Sequence, residues 1–101
     1  MLVHLPIIVL TSLQPVAVTD SIPKFDIAQQ CQFEAGPSKE GQDKCALDEK
    51  QARDKLQREW TQFAPRAKAQ CSSEASAGGA SSYVELLICL EMERDARKES
   101  K

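Results

Sequence analysis

The sequence predicts a small all-α domain of three helices, with a long central helix and a shorter helix at each end, held together by two disulfide bonds. Apolar residues recur at intervals of three, four or seven along much of residues 24–92. That spacing is typical of one face of a helix, and no segment requires a strand. Four cysteines in a chain of only 101 residues favour a disulfide framework.

The length and composition allow one domain. Hydrophobic residues make up 42% of the 101 residues and charged residues 28%, which is typical of a globular chain. A chain this short buries a modest fraction of its surface, so disulfides, a metal or a partner often contribute to stability. The formal net charge of -2 gives no basic surface for a phosphate backbone, and nucleic acid is not an expected partner.

Residues 1–20 resemble a signal peptide. The apolar run LVHLPIIVLTSL starts at Leu2, QPVAVT follows, and no charged side chain precedes Asp20, as in the apolar and cleavage regions of an export signal. The run lacks an N-terminal Lys or Arg and is interrupted by Pro6 and Pro15. It is also shorter than the roughly 20 apolar residues of a membrane span. We expect cleavage near residues 19–21, in preference to an uncleaved anchor, leaving a mature domain with no stable membrane span.

Cys31, Cys45, Cys71 and Cys89 are predicted to form disulfides in an oxidising compartment, the periplasm or outside the cell. The competing interpretation is a zinc site. Such sites usually bring two thiolates together through a closely spaced pair, whereas the gaps here are 13, 25 and 17 residues. The one histidine, His4, lies in the segment expected to be removed. No metal or cofactor is therefore expected.

Four cysteines allow three connectivities, and the sequence does not choose among them by itself. Pairing Cys31 with Cys45 and Cys71 with Cys89 closes two short loops. Of the three connectivities, it least requires segments far apart in the chain to lie close together. Each loop would contribute about 3 kcal/mol to the free energy of unfolding by restricting the unfolded chain. We favour this sequential pairing, and the other two connectivities stay open at this point.

The first helix is expected over residues 24–34, where apolar residues lie at helical spacing after Pro23. Gly36 is a candidate C-cap, and the proline after it cannot continue the helix.

The second helix is expected over residues 39–63. Its other face carries opposite charges four residues apart, such as Lys55 with Glu59, which predicts surface ion pairs. Pro65 then ends or kinks the helix and allows one further turn over residues 66–71. The apolar stripe of this helix consists of Cys45, Ala52, Leu56, Trp60 and Phe63.

The third helix is expected to begin after a mobile loop at residues 72–80, whose sequence SSEASAGGA has little to bury. Ser82 and Glu85 match a capping box, in which each side chain accepts a backbone N–H of the first turn. Residues 93–101 are mostly charged and are expected to fray. Apolar residues occupy most of the circumference of the third helix, which is therefore predicted to lie at the centre of the bundle. These residues are Tyr83, Val84, Leu86, Leu87, Ile88, Leu90 and Met92.

No catalytic site is predicted. The expected mature chain contains no histidine, which excludes the common Ser–His and Cys–His arrangements. Asp48 and Glu49 are adjacent, but neighbouring helix positions point about 100° apart, so both are interpreted as solvated charges. The Gly78-Gly79 pair has no following Lys and no preceding strand, unlike a phosphate-binding loop. Aromatic residues assigned to the core are Trp60, Phe63 and Tyr83.

A series of residues that covers nearly all of the expected mature chain resembles a group of small exported proteins of Gram-negative bacteria with no assigned activity. The resemblance implies a periplasmic location and no particular chemistry. The series is Phe25-Asp26-Ile27, Cys31, Cys45, Asp48-Glu49, Ala52-Arg53, Leu56, Trp60, Phe63, Cys71, Ser82-Tyr83-Val84-Glu85-Leu86-Leu87 and Cys89-Leu90-Glu91-Met92.

The segment Leu56-Gln57-Arg58-Glu59-Trp60, followed by Cys71, is similar to a motif of lysozyme-inhibitor-like periplasmic domains. In that family four cysteines lie in a comparable order around a helix that carries Leu and then Gln-Arg-x-Trp. The segment between Cys45 and Trp60 is shorter in this chain, so neither inhibitory residues nor disulfide pairing are carried over from the family.

The sequence thus predicts a non-enzymatic periplasmic or secreted module that binds another protein or an envelope component. A lysozyme-inhibitor-like protein is the alternative, and a hydrolase or a cysteine-dependent redox enzyme is the least favoured of the three. The partner and the oligomeric state are not specified by any pattern in the chain.

Overall fold

Four α-helices and one short 3₁₀ turn account for most of the residues that the computed structural model describes, which are 21–77 and 81–99, and no strand occurs among them. The all-α prediction is confirmed, with four helices where three were expected. The predicted signal peptide lies outside the described residues. The elements are α1 (Ile27–Ala35), α2 (Lys39–Glu59), the 3₁₀ turn Trp60–Gln62, α3 (Pro65–Ser76) and α4 (Tyr83–Glu99).

The first helix begins at Ile27 and not at residue 24, because Asp26 is its N-cap. The Asp26 carboxylate accepts a hydrogen bond from the Gln29 N–H at 3.0 Å, which pairs one of the orphan donors of the first turn. The predicted C-cap is confirmed: Gly36 has a φ of 66°, and its N–H donates to the carbonyl of Gln32.

The residues before α1 lie extended against the start of α4. The Tyr83 hydroxyl accepts a hydrogen bond from the Phe25 N–H at 2.8 Å and donates to the Pro23 carbonyl at 3.0 Å. The rings of Phe25 and Tyr83 are in contact, with centroids 4.8 Å apart. One buried side chain therefore fastens the N-terminal segment of the described domain to a helix nearly sixty residues away.

We expect the Tyr83→Phe substitution to lower the free energy of unfolding by about 1–2 kcal/mol. It keeps the ring contact and removes both hydrogen bonds of the hydroxyl, so the loss falls mainly on residues 21–26. Urea unfolding measures the total, and amide hydrogen exchange at Phe25 measures the local effect. An unchanged exchange rate at Phe25 would contradict the anchoring role.

The second helix ends at Glu59, four residues earlier than predicted. The chain tightens into the 3₁₀ turn, and Pro65 then occupies the first turn of a separate helix, α3, where the missing N–H of proline has no cost. The prediction of a loop from residue 72 is wrong as far as Ser76. Those residues are helical because Cys71 and Ala75, four apart on α3, are both buried, while residues 78–80 lie outside the described part.

The core lies where α2 and α3 pack against α4. Leu56, Leu86 and Leu90 have no exposed surface. Ile88 and Met92 were also predicted to be central but are 50% and 66% exposed, because α2 and α3 leave one side of α4 uncovered. The buried cluster, which includes all three aromatic residues assigned to it, is Ala52, Leu56, Trp60, Phe63, Ala67, Cys71, Ala75, Tyr83, Leu86 and Leu90.

Both disulfides form as favoured from the sequence, and all four cysteines are paired. Cys31–Cys45 joins α1 to α2 with a Cα–Cα distance of 5.5 Å, and Cys71–Cys89 joins α3 to α4 at 5.7 Å. Both distances are typical of disulfides. Each bond therefore connects a pair of consecutive helices.

Two ion pairs connect α2 to α4. Lys55 was predicted to pair with Glu59 on its own helix, but its ammonium lies 2.8 Å from the Glu91 carboxylate. Glu59 instead accepts a hydrogen bond from the Arg94 guanidinium at 2.9 Å. The hydrogen bond and charge of Glu91, together with the charge of Glu59, raise the pKa of Lys55 above its usual 10.5. The prediction that α4 frays from residue 93 is also wrong, since the helix continues to Glu99.

Candidate functional site

Neither a metal site nor a membrane span is found in the described residues. Within 21–77 and 81–99, no three His, Cys, Asp or Glu side chains are grouped so that they could hold a metal ion. No helix in those ranges is both long and apolar enough to cross a bilayer. Two other features are distinctive there: a buried carboxylate between α2 and α4, and an exposed apolar strip on α4.

The buried carboxylate belongs to Glu49, which was predicted to be solvated and is 2% exposed. Its Oε1 accepts a hydrogen bond from the Tyr83 N–H at 2.7 Å. Its Oε2 accepts from the Ser82 hydroxyl at 2.6 Å and, at 3.4 Å, from the Val84 N–H. Unpaired N–H groups and the positive end of the dipole at a helix N-terminus favour a carboxylate at that position. Glu49 is thus a cap for α4, supplied by α2.

The predicted capping box is present in one half only. The Glu85 N–H donates to the Ser82 hydroxyl oxygen at 3.2 Å, as expected for a serine N-cap. The carboxylate that pairs with the start of the helix is that of Glu49, and the side chain of Glu85 is exposed. The position of Glu85 at the surface leaves its charge available on the outer side of α4.

A pocket of about 390 Å³ lies beside this cap and is bordered by Glu34, Asp48, Glu49 and Glu85, among others. Its deepest acid, Glu49, already accepts three hydrogen bonds from the first turn of α4 and its cap. Asp48 lies 3.2 Å from the ammonium of Lys44 on the same helix. We therefore assign this pocket a structural role in holding α4 against α2.

The exposed strip of α4 borders a groove of about 320 Å³. Ile88 and Met92 lie one helical turn apart, and Glu85, Cys89 and Glu93 lie on the same side of the helix at the neighbouring i+3 and i+4 positions. The groove, called the α4 groove below, is lined by Glu74 of α3 and by Glu85, Ile88, Cys89, Met92 and Glu93 of α4.

The α4 groove combines apolar surface with negative charge. Three of its six lining residues are glutamates, and none of the described residues that line it is basic. Among the described residues, the Glu74 carboxylate accepts a hydrogen bond from the Gln70 side-chain amide at 3.3 Å, a neutral partner. An exposed apolar patch with a polar rim is typical of a binding surface.

Each disulfide joins one buried cysteine to one partly exposed cysteine whose sulfur lies beside a carboxylate. Cys31 and Cys71 are buried, whereas Cys45 and Cys89 are partly exposed. The Cys45 Sγ lies 3.6 Å from a Glu34 oxygen, and the Cys89 Sγ lies 3.8 Å from a Glu74 oxygen. A bonded sulfur has no proton to donate, so these are contacts and not hydrogen bonds. A reducing thiolate must approach the accessible sulfur past a negative charge.

We expect the Glu34→Gln/Glu74→Gln double variant to be reduced about two- to fivefold faster by an anionic thiol such as 2-mercaptoethanesulfonate at low salt. Reduction by cysteamine, which carries a positive charge, should change less. Timed alkylation and mass spectrometry follow each bond separately. The control is the Asp54→Asn variant, which changes an exposed acid of α2 other than the two carboxylates beside the sulfurs. Equal acceleration with both thiols would contradict the electrostatic explanation.

The residues that carry the similarity to lysozyme-inhibitor-like domains are divided between the core and the surface, with Gln57 and Arg58 exposed. Leu56 and Trp60 are buried, and Glu59 is paired with Arg94 of α4. The Lys68 ammonium lies 5.1 Å from the centroid of the Trp60 ring, so this face of the indole is also covered. Leu56 and Trp60 therefore serve helix packing, whereas Gln57 and Arg58 lie at the surface.

No protein-family model matches the chain, and no curated protein or solved structure shows significant similarity to it. Both resemblances drawn from the sequence therefore stay predictions. The α4 groove is the feature of the described residues that a function can be built on.

Proposed function

We propose that this protein is a non-enzymatic interaction module that binds a partner protein through the α4 groove in an oxidising compartment. The observation that carries the proposal is the contrast between the two sides of α4. Leu86 and Leu90 are fully buried, whereas Ile88 and Met92 are at least half exposed. A helix that is apolar on both sides is normally covered on both, so an uncovered side favours a partner.

The groove is held in a fixed shape before any partner arrives. Glu49 caps the first turn of α4, the Cys71–Cys89 bond fixes its middle to α3, and the Arg94 ion pair fixes its second half to α2. Because the backbone of α4 is already ordered, binding on this face loses little backbone conformational entropy. A rigid helix face is a common surface for peptide recognition.

The proposed location is the periplasm or the outside of the cell. Two disulfide bonds indicate an oxidising environment. The signal-peptide-like sequence of residues 1–20 supports export as the route to that environment. Within such a compartment the two bonds act as structural links between helices.

The proposal is tested by comparing the proteins captured from periplasmic extract by the immobilised oxidised protein and by the variant Ile88→Ser/Met92→Ser. We expect at least one protein to be captured by the wild type and reduced about fivefold or more by the variant. Phe33→Ser/Leu47→Ser is the matched control, since Phe33 is 73% and Leu47 55% exposed outside the groove. If wild type and groove variant capture the same proteins equally, the α4 groove is not the binding site.

A further inference from the structure

We infer that the α4 groove binds a basic amphipathic segment of its partner, with apolar side chains that contact Ile88 and Met92 and with Lys or Arg side chains beside them. The inference rests on the proposed function and specifies the chemistry of the partner at the same site. The charge, the size and the position of the groove each support it.

The charges of the groove favour a cationic partner. Glu85 and Glu93 lie on the same side of α4 as the apolar pair, one towards each end of it, and Glu74 approaches from α3. A neutral partner would remove these carboxylates from water without offering a compensating charge, and an acidic partner would add repulsion. Lys or Arg side chains at the rim would instead pair with the carboxylates while an apolar centre is buried.

The dimensions of the groove favour a short segment over a broad protein surface. Ile88 and Met92 are four residues apart, which corresponds to about 6 Å along the helix axis. The space beside them is about 320 Å³, enough for a few apolar side chains presented by a single helix turn or strand. Met92 adds a flexible thioether that adapts to partners of different shape. The recognition mode expected is therefore a segment laid into a groove.

Two occupants from this chain itself fit less well. Residues 1–19 are apolar and contain no Lys or Arg, so His4 is the one basic side chain that they could offer to the three glutamates. A second copy could offer Arg94 and Lys98, which border a separate pocket with Gln62 and Arg97. Arg94, however, is already paired with Glu59 of α2 within its own chain, and no apolar residue among those described lines the pocket that Lys98 borders. The cationic segment of another protein is the occupant that satisfies both the apolar pair and its acidic rim.

The test uses three fluorescent synthetic peptides of equal length and the oxidised protein, with binding followed by fluorescence anisotropy. The first peptide has Leu along one helix face and Lys beside it, the second replaces every Lys with Glu, and the third keeps Lys but replaces every Leu with Ser. We expect the Leu/Lys peptide to bind at least about tenfold more tightly than either of the other two, with an affinity that falls as salt rises. Equal binding of the Leu/Glu or of the Ser/Lys peptide would overturn the inference.

Variants locate the binding on the protein. Glu85→Gln/Glu93→Gln and Ile88→Ser/Met92→Ser should each weaken the Leu/Lys peptide by about fivefold or more. Asp54→Asn and Phe33→Ser, which change an exposed acid and an exposed apolar residue away from the groove, should leave the affinity unchanged. Self-association that is lost in Ile88→Ser/Met92→Ser would assign the groove to a second copy and overturn the inference.

The two proposals fail in different ways. If extract proteins are still captured through Ile88 and Met92 but the Leu/Lys peptide does not bind, the basic partner is wrong and the interaction module stands. If the peptide binds at the groove but the wild type and the groove variant capture the same proteins from extract equally, the proposed function is wrong.

Discussion

The Glu49→Ala substitution is expected to lower the free energy of unfolding by about 2–4 kcal/mol. It leaves the Ser82 hydroxyl and the N–H groups of Tyr83 and Val84 without their acceptor in a buried position. It also opens a space between α2 and α4 where water must enter or the helices must move. A surface glutamate on the same helix would cost well under 1 kcal/mol, so the size of the effect distinguishes a structural cap from a solvated charge.

Urea unfolding of the oxidised protein measures this effect, with Asp48→Ala as the matched control from the adjacent, half-exposed position. The Glu49→Gln variant keeps an oxygen for the Tyr83 N–H but replaces the other acceptor with a donor. Its free energy of unfolding should therefore lie between those of the wild type and Glu49→Ala. Amide exchange at Tyr83 and Val84 should rise in both Glu49 variants. Equal losses for Asp48→Ala and Glu49→Ala would show that the cap contributes nothing.

The Cys71→Ala/Cys89→Ala substitutions are expected to lower the free energy of unfolding by about 3–5 kcal/mol. Chain entropy accounts for about 3 kcal/mol of this loss for a loop of this size. The remainder arises because Cys71 has no exposed surface and belongs to the core cluster, so its removal disturbs packing as well. For a domain this small, such a loss is a large part of the total free energy of unfolding.

Removal of the other disulfide should act locally. Among the helices of the described residues, α1 packs on α2 alone, so in the Cys31→Ala/Cys45→Ala variant α1 can separate while α2, α3 and α4 keep their core. We expect increased amide exchange in α1 at urea concentrations that leave α4 protected. A variant in which α1 and α4 lose protection together would show that α1 belongs to the same cooperative unit.

The helical class and the disulfide pairing could be predicted because both depend on short-range spacing. The apolar stripe of α2 lies within one helix, and the cysteines of each bond are 14 or 18 residues apart. The start of α1 has one local signal, Asp26, a preferred N-cap residue that the prediction placed inside the helix. Residues 24–26 stay extended because Phe25 is held by Tyr83, 58 residues later, and no local propensity encodes that contact.

Glu49 illustrates a signal that was present in the sequence but was outweighed by its charge. It lies three residues before Ala52 and seven before Leu56, in register with the buried stripe of α2. Pairs of opposite charge four residues apart led to the prediction that this face of α2 is solvated. The residue that decides the burial of Glu49 is Ser82, which lies 33 residues away. A charged residue at a stripe position is therefore a candidate for a cap or a buried ion pair.

The α4 groove could not be predicted because hydrophobicity shows which residues avoid water, not how many neighbours a helix has. Apolar residues of α4 occupy most of its own circumference, which led to the prediction that Ile88 and Met92 are fully buried. Among the described helices, only α2 and α3 pack against it, so one apolar side lacks a helical neighbour. The position of Glu74 at that side depends on α3 being helical beyond Cys71, in a segment whose serines and alanines predicted a loop.

The distribution of the disulfides divides the molecule into two covalently closed hairpins, one formed by α1 and α2 and the other by α3 and α4. Apart from the backbone that joins them, the hairpins are held together in the described structure by noncovalent contacts, which include the Glu49 cap, the two ion pairs and the leucine contacts. In that respect the chain resembles a dimer of two tethered subunits. Urea under oxidising conditions is expected to separate the hairpins from each other while each disulfide loop stays closed. The unfolded chain therefore still contains two covalently closed loops, which the backbone between them joins.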